Sequence, residues 1–174
     1  MTQDDGDPRT VLLTGVYGTG KSSVAVEIAD ILEKQSVAYA VLDLDWLSWF
    51  QAPGHEPHSD QRMLLANVRA VIDNYLGAGV RRFILAQSIQ NRTDLDAIRG
   101  TVPAPMTVVR LTVPLAEIRR RLRSDVTVGR QDDLRVAEAW LAGSVGVGLE
   151  DFTLPNDRPI REVALDILER LDWR

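Results

Sequence analysis

Short apolar runs alternate along this chain with longer stretches whose apolar residues recur at helical spacing. Residues 10–14, 38–42, 82–86 and 107–112 are rich in branched or bulky apolar side chains and read as strands, with a short last strand at 152–154. Between them, residues 22–33, 62–76, 93–100, 114–123, 136–142 and 160–171 read as helices, the fourth entered at Pro114. Near-continuous apolar strands suit burial on both faces, and helix-length spacers supply crossovers between parallel neighbours. The pattern predicts a three-layer α/β fold, a doubly wound parallel sheet of about five strands with helices on both faces. Gly77-Ala78-Gly79 reads as a helix stop before the third strand, and residues 155–159 as a turn before the closing helix.

Composition narrows the class. A chain of 174 residues with 45% hydrophobic content can bury one core but is short for two ordinary domains. One domain over residues 10–174 is expected, after a mobile polar tail at residues 1–9. A formal charge of -5 argues against a broad nucleic-acid or membrane surface. Cysteine is absent, so disulfides, thiolate metal sites and a cysteine nucleophile are excluded. The polar, acidic start lacks the features of a signal peptide and no apolar run approaches a membrane span, so a cytoplasmic protein is expected. Oligomeric state is not legible.

The chemistry begins after the first strand. Gly15-Val16-Tyr17-Gly18-Thr19-Gly20-Lys21-Ser22 fits the phosphate-binding pattern G-x-x-x-x-G-K-S/T, between a strand and a helix as that motif requires. Glycines let the backbone turn N–H groups toward phosphate oxygens, and the helix N-terminus adds partial positive charge. Lys21 reaches the β/γ-phosphates and the Ser22 hydroxyl ligates Mg²⁺, with Ser23 following on the helix. A nucleoside triphosphate is therefore the expected ligand.

Asp43 ends the second strand and Asp45 follows two residues later. Continued extension would place both carboxylates on one side. Strand ends beside a phosphate loop meet the γ-phosphate and its metal, so one acid can hold Mg²⁺ while the other orients or deprotonates an acceptor hydroxyl. Alternatively, either aspartate caps the next helix or is solvated at the strand end.

With these residues in place, the chain resembles the small-molecule kinase branch of the P-loop fold, which includes adenylylsulfate kinase, shikimate kinase, gluconate kinase and chloramphenicol phosphotransferase. The phosphate loop, Asp43-Leu44-Asp45, the arginine-rich segment after Pro114 and Asn156-Asp157-Arg158-Pro159 carry the resemblance. By the likeness to shikimate kinase, Asp43 is the metal-side residue and Asp45 the base or positioning residue. Asn67-Val68-Arg69 resembles the Asn-Ile-Arg segment that meets substrate in adenylylsulfate kinase, which makes Asn67 and Arg69 candidate acceptor contacts. Asn156, Arg158 and Pro159 fall in a segment that resembles the loop cradling adenine.

Arg119, Arg120, Arg121 and Arg123 crowd one helix, with Arg130 beyond it. Phosphoryl transfer gains from positive charge around the migrating group, and a closing segment commonly supplies it in this branch. A lid is expected around residues 119–133, centred on 126–131, with Arg119, Arg123 and Arg130 as catalytic candidates. The alternative is a solvated basic face paired with Asp125, Asp132 and Asp133.

Trp46, Trp49 and Phe50 follow the acidic pair. They could wall a pocket for a flat or apolar substrate, such as a nucleoside, a sugar face or an antibiotic-like molecule. Trp46 is the expected wall residue, whereas Trp49 and Phe50 read as core packing at a helix entry. Gln87 and Ser88 end the third strand where substrate or γ-phosphate contacts would lie. No acid stands there, which returns the metal role to Asp43. His55 and His58 lack further ligands for zinc and read as surface residues.

Two functions compete at this point. The first is an ATP- and Mg²⁺-dependent phosphotransferase acting on a hydroxyl of a small-molecule acceptor, with no nucleic acid or membrane partner. The second is a nucleotide-binding switch, or slow NTPase, acting through a protein partner. An Asn-Lys-x-Asp guanine motif is missing, which disfavours a Ras-like GTPase.

Overall fold

The computed structural model describes residues 6–53, 61–124 and 130–173, apart from the side chains of residues 124, 130 and 131. Five strands, β1 (Arg9–Thr14), β2 (Tyr39–Asp43), β3 (Arg82–Ala86), β4 (Met106–Thr112) and β5 (Phe152–Pro155), form one sheet in the order β2-β3-β1-β4-β5. Every pairing is parallel, with Leu12 opposite Leu85 on one side and Val108 on the other. β2 and β3 lie on one side of β1, and β4 and β5 on the other, as expected of a doubly wound sheet. Arg9 already pairs with Arg82, so the first strand takes in the last residue of the expected tail.

The helices are α1 (Lys21–Lys34), α2 (Leu44–Leu47), α3 (Gln61–Gly77), α4 (Arg92–Thr101), α5 (Leu115–Ser124), α6 (Arg130–Ala142) and α7 (Ile160–Leu171). β1 shows why the fold has three layers. Its side chains alternate between faces, so Val11 and Leu13 join α1 and α7 in one core while Leu12 joins α3 and α4 in the other. All three are fully buried, which is why the strand reads as an uninterrupted apolar run. α3 stops at Gly77, and Gly79 (φ 95°) lets the Val80 N–H turn back to the Tyr75 carbonyl.

Two elements differ from the expected pattern. α2 was not expected, because four residues are too few for a helical period to show. It exists because the Asp43 carboxylate accepts from the Asp45 N–H, 3.2 Å away, and caps it. α6 starts at Arg130 rather than 136; its first turn is polar, with Asp132 and Asp133 at the helix N-terminus, and carries no apolar signal.

A third, smaller core ties α5 and α6 to the start of the phosphate loop. Val16, Val113, Ile118, Leu122 and Ala137 are buried together, and Tyr17, Leu134 and Trp140 pack against them.

Candidate active site

The loop between β1 and α1 lies at the centre of the carboxyl edge of the sheet, where ligands bind in open α/β folds. Two glycines are required there. A Cβ on Gly15 (φ 139°) would stand 2.5 Å from the Leu111 carbonyl oxygen, and one on Gly20 (φ 87°) would stand 2.6 Å from Asn156 Nδ2. Gly20 is the left-handed N-cap of α1, with no side-chain hydrogen bond capping the helix. Thr19 Oγ1 donates to the Val16 carbonyl at 2.8 Å and fixes the turn from within.

Lys21 is buried to 8% exposure, and its ammonium donates to the carbonyls of Gly15 (3.1 Å) and Val16 (3.3 Å). It also lies 5.5 Å from the Tyr17 ring centroid. A cation held across its own loop by two carbonyls and a ring face is aimed at the place where the motif puts phosphate. Ser22 and Ser23 are exposed at the first turn of α1.

The neighbouring strand ends close on this loop. Ser22 Oγ donates to Asp43 Oδ2 at 2.6 Å, so the hydroxyl and carboxylate expected to share a metal are in contact. Just after β3, Ser88 Oγ donates to the Gly15 carbonyl at 3.0 Å. Gln87 holds the Leu13 carbonyl through its own N–H at 3.1 Å, while its Oε1 is buried without a hydrogen-bond partner among the described residues. A buried acceptor of that kind suits a donor from a ligand or from metal-bound water. The donor set is oxygen-only, which suits Mg²⁺.

Asp45 is exposed in α2, so the expected extended geometry is replaced by a helical turn. Its charge still reaches the loop. Burial, and then the negative charges of Asp45 and Asp133, push the Tyr17 phenol above its ordinary value. Asn67 Nδ2 donates to the Leu47 carbonyl at 2.8 Å and pins the end of α2. Arg69 lies on the exposed side of α3 and bonds Asp73 at 2.7 Å.

Trp46 and Trp49 stack on each other, with centroids 4.9 Å apart and planes at 24°. They are 67% and 62% exposed, which overturns the expectation that Trp49 is core. The two rings cover each other at the surface instead, and Leu44 is the α2 residue that enters the core. Phe50 is half-buried. His55 and His58 lie outside the described residues.

Among the arginines, Arg119 bonds Glu138 at 2.7 Å and links α5 to α6. Arg123 is exposed on α5, and Arg130 opens α6 with its side chain outside the described residues, as is the centre of the expected lid. Among the described side chains, the arginine of this cluster that reaches the loop is Arg121, which the sequence did not single out. It donates to the Asn156 carbonyl (2.9 Å), the Gly18 carbonyl (3.4 Å) and Glu117 (2.7 Å). The i,i+4 spacing from Glu117 was the sequence signal available. Arg120 and Arg121 together hold the Glu117 carboxyl down to about 2, the Arg120 hydrogen bond contributing most.

Asn156 is 4% exposed, and its Nδ2 donates to the Thr19 carbonyl at 2.7 Å. Arg158 pairs with Asp166, and Pro159 precedes α7. The segment expected near adenine therefore stands against the loop and the start of α1.

The same fold is found in kinases of known structure. A sugar kinase from Janibacter sp. HTCC2649 superposes with a TM-score of 0.68 at 22% identity, over 96% of this chain and 95% of that one. The APS kinase of Mycobacterium tuberculosis, in complex with AMPPNP and APS, gives 0.63 at 23% identity, over 95% and 98%. A tunicamycin resistance protein from Deinococcus radiodurans gives 0.65 at 17% identity, over 95% and 96%. No protein-family model and no curated protein matches the sequence. At these identities the likeness establishes the fold.

Proposed function

We propose that this protein is a kinase that transfers the γ-phosphate of ATP, with Mg²⁺, to a hydroxyl of a small molecule. The observation that carries the reading is the 2.6 Å contact between Ser22 and Asp43, with Asp45 two residues further on at the exposed side. A phosphate loop alone speaks for nucleotide binding. A second carboxylate beside the metal-side acid speaks for an acceptor.

In this reading the loop N–H groups and Lys21 bind the phosphates and stabilise the charge that develops on the migrating group. Ser22 and Asp43 would hold Mg²⁺, which neutralises phosphate charge when bound. Asp45 orients the acceptor hydroxyl and takes its proton, Gln87 and Asn67 stand beside the acceptor, and Arg121 keeps the loop and the Asn156 segment together. The acceptor oxygen forms a bond to the γ-phosphorus as the bond to the β,γ-bridging oxygen breaks, and ADP leaves. The sugar kinase and the APS kinase are small-molecule kinases by name, which supports the same class.

The test is ADP release against a library of small hydroxyl compounds, with mass detection of the phosphorylated product. Wild type is expected to show acceptor-dependent release, Lys21→Ala to lose it, and Asp45→Asn to lose it while still binding ATP. Unchanged turnover in Asp45→Asn, or nucleotide binding with no acceptor dependence across the library, would overturn the reading.

A further inference from the structure

Arg110 is a buried cation that the chemistry above does not use. It stands on β4 two residues after Val108, so its side chain leaves the sheet on the α3/α4 face, and it is 7% exposed. A guanidinium in such a place is costly unless its donors are used. Nη1 donates to the Gly146 carbonyl at 2.7 Å and Nη2 to the Val145 carbonyl at 3.3 Å, in the turn that follows α6. The same turn is tied at further points. Arg92 donates to the Gly148 carbonyl at 3.4 Å, and Glu150, which interacts with the charge of Arg110, accepts from the Gly148 and Leu149 N–H groups at 3.0 Å.

What the turn presses against gives Arg110 its role. Gly146 (φ 70°) packs directly on the backbone of Ile89: a Cβ at residue 146 would stand 2.2 Å from the Ile89 carbonyl oxygen, closer than any side chain allows. Ile89 in turn anchors the segment that leaves β3 at the site. Its N–H donates at 3.0 Å to Oγ1 of Thr14, the residue opposite Arg110 in the β1–β4 pairing. Just before it, Ser88 holds the Gly15 carbonyl, which also accepts from Lys21, and Gln87 holds the Leu13 carbonyl. We infer that Arg110 is a positioning residue: by clamping the Gly146 turn onto Ile89, it fixes where Gln87 and Ser88 stand against the phosphate loop. It acts through Ile89 rather than on the reactants. The inference rests on the kinase reading above and adds to it a residue from outside the site.

The test joins amide hydrogen exchange, followed residue by residue by NMR, to phosphate transfer with the hydroxyl library in Arg110→Met, Arg110→Lys and Gly146→Ala. Methionine keeps much of the length but cannot donate, lysine keeps the charge and can donate, and alanine at 146 forces the turn and Ile89 apart with Arg110 intact. In Arg110→Met and Gly146→Ala the Ile89 N–H should exchange about fivefold faster or more, beyond any change shared by the amides inside β1 and β3. Transfer kcat should fall by about tenfold to a hundredfold, with the Kd for ADP within about threefold. Arg110→Lys should recover part of both effects, which a general loss of stability would not produce. Ile89 exchange that changes no more than that of the strands, or a faster Ile89 with kcat within about threefold of wild type, overturns the inference and leaves the kinase standing. A wild type that transfers phosphate to no member of the library overturns the kinase reading, and the Ile89 exchange rates alone then uphold or overturn the clamp.

Discussion

Asn156 donates its side-chain amide to the carbonyl of Thr19 at 2.7 Å, across a sequence separation of 137 residues. This bond joins the turn after the last strand to the phosphate loop, and Arg121 reinforces it by bonding the Asn156 and Gly18 carbonyls. Asn156→Ala leaves the Thr19 carbonyl in a buried place without its donor, at a cost of about 1–3 kcal/mol. The expected result is a lower denaturant midpoint together with weaker ATP binding, read by urea unfolding and calorimetric titration. Unchanged stability would mean that water replaces the amide.

Asp43 serves two neighbours with its two oxygens, the Ser22 hydroxyl and the Asp45 N–H. Asp43→Asn keeps one acceptor oxygen but removes the charge. Stability should change by no more than about 1 kcal/mol, as for a helix cap, while turnover falls by about 10²–10³-fold. Thermal unfolding and kcat measured across a Mg²⁺ titration separate the two effects.

Tyr17 packs its ring against Trp140 of α6, centroids 5.5 Å apart. Tyr17→Phe keeps that contact and should unfold close to wild type. Tyr17→Ala loses both the stacking and part of the small core around Val16, and should cost about 1–3 kcal/mol. Thermal melts of the two variants check the contrast.

Glu117 supplies a pH test. Two arginines hold its carboxyl at about 2 in the folded protein, against an ordinary unfolded value of about 4.3. A lowered folded value means that the unfolded chain binds the proton first as pH falls. The contribution is thus fully present above about pH 4.3 and disappears as pH falls toward about 2. The melting temperatures of wild type and Glu117→Gln should differ by a constant amount at neutral pH and converge over that acid window. Convergence between pH 5 and 7 would contradict the assignment.

What the sequence made legible follows from how far each signal depends on distant contacts. β1 and its loop were readable because a run buried on both faces looks apolar throughout, and the loop residues are dictated by local backbone geometry. The helix stop at Gly77-Ala78-Gly79 was readable for the same local reason. α2 was not, since Asp43 makes a helix of four residues where alternation suggested continued strand. Trp49 was misread because an aromatic near a helix entry is usually core, and only the finished surface reveals that Trp46 covers it. Asn156 was expected beside the nucleotide, but its contact with Thr19 becomes visible only once β1 and β5 stand on either side of β4 in one sheet. Among the crowded arginines, composition could not separate Arg121, which meets the loop, from Arg119, which meets Glu138.

The position of β1 carries a cost during synthesis. The strand at the middle of the sheet is the first of the five to be made, yet its partners are β3 and β4, so one edge stays open until residue 86 has emerged and the other until residue 112. Through that interval the nascent chain carries an unpaired, strongly apolar segment, Val11-Leu12-Leu13, of the kind that pairs with other copies when left bare. Crowded ribosomes making this protein, rather than the finished molecule, are where aggregation would begin, and slower release of the first hundred or so residues would lengthen the exposure.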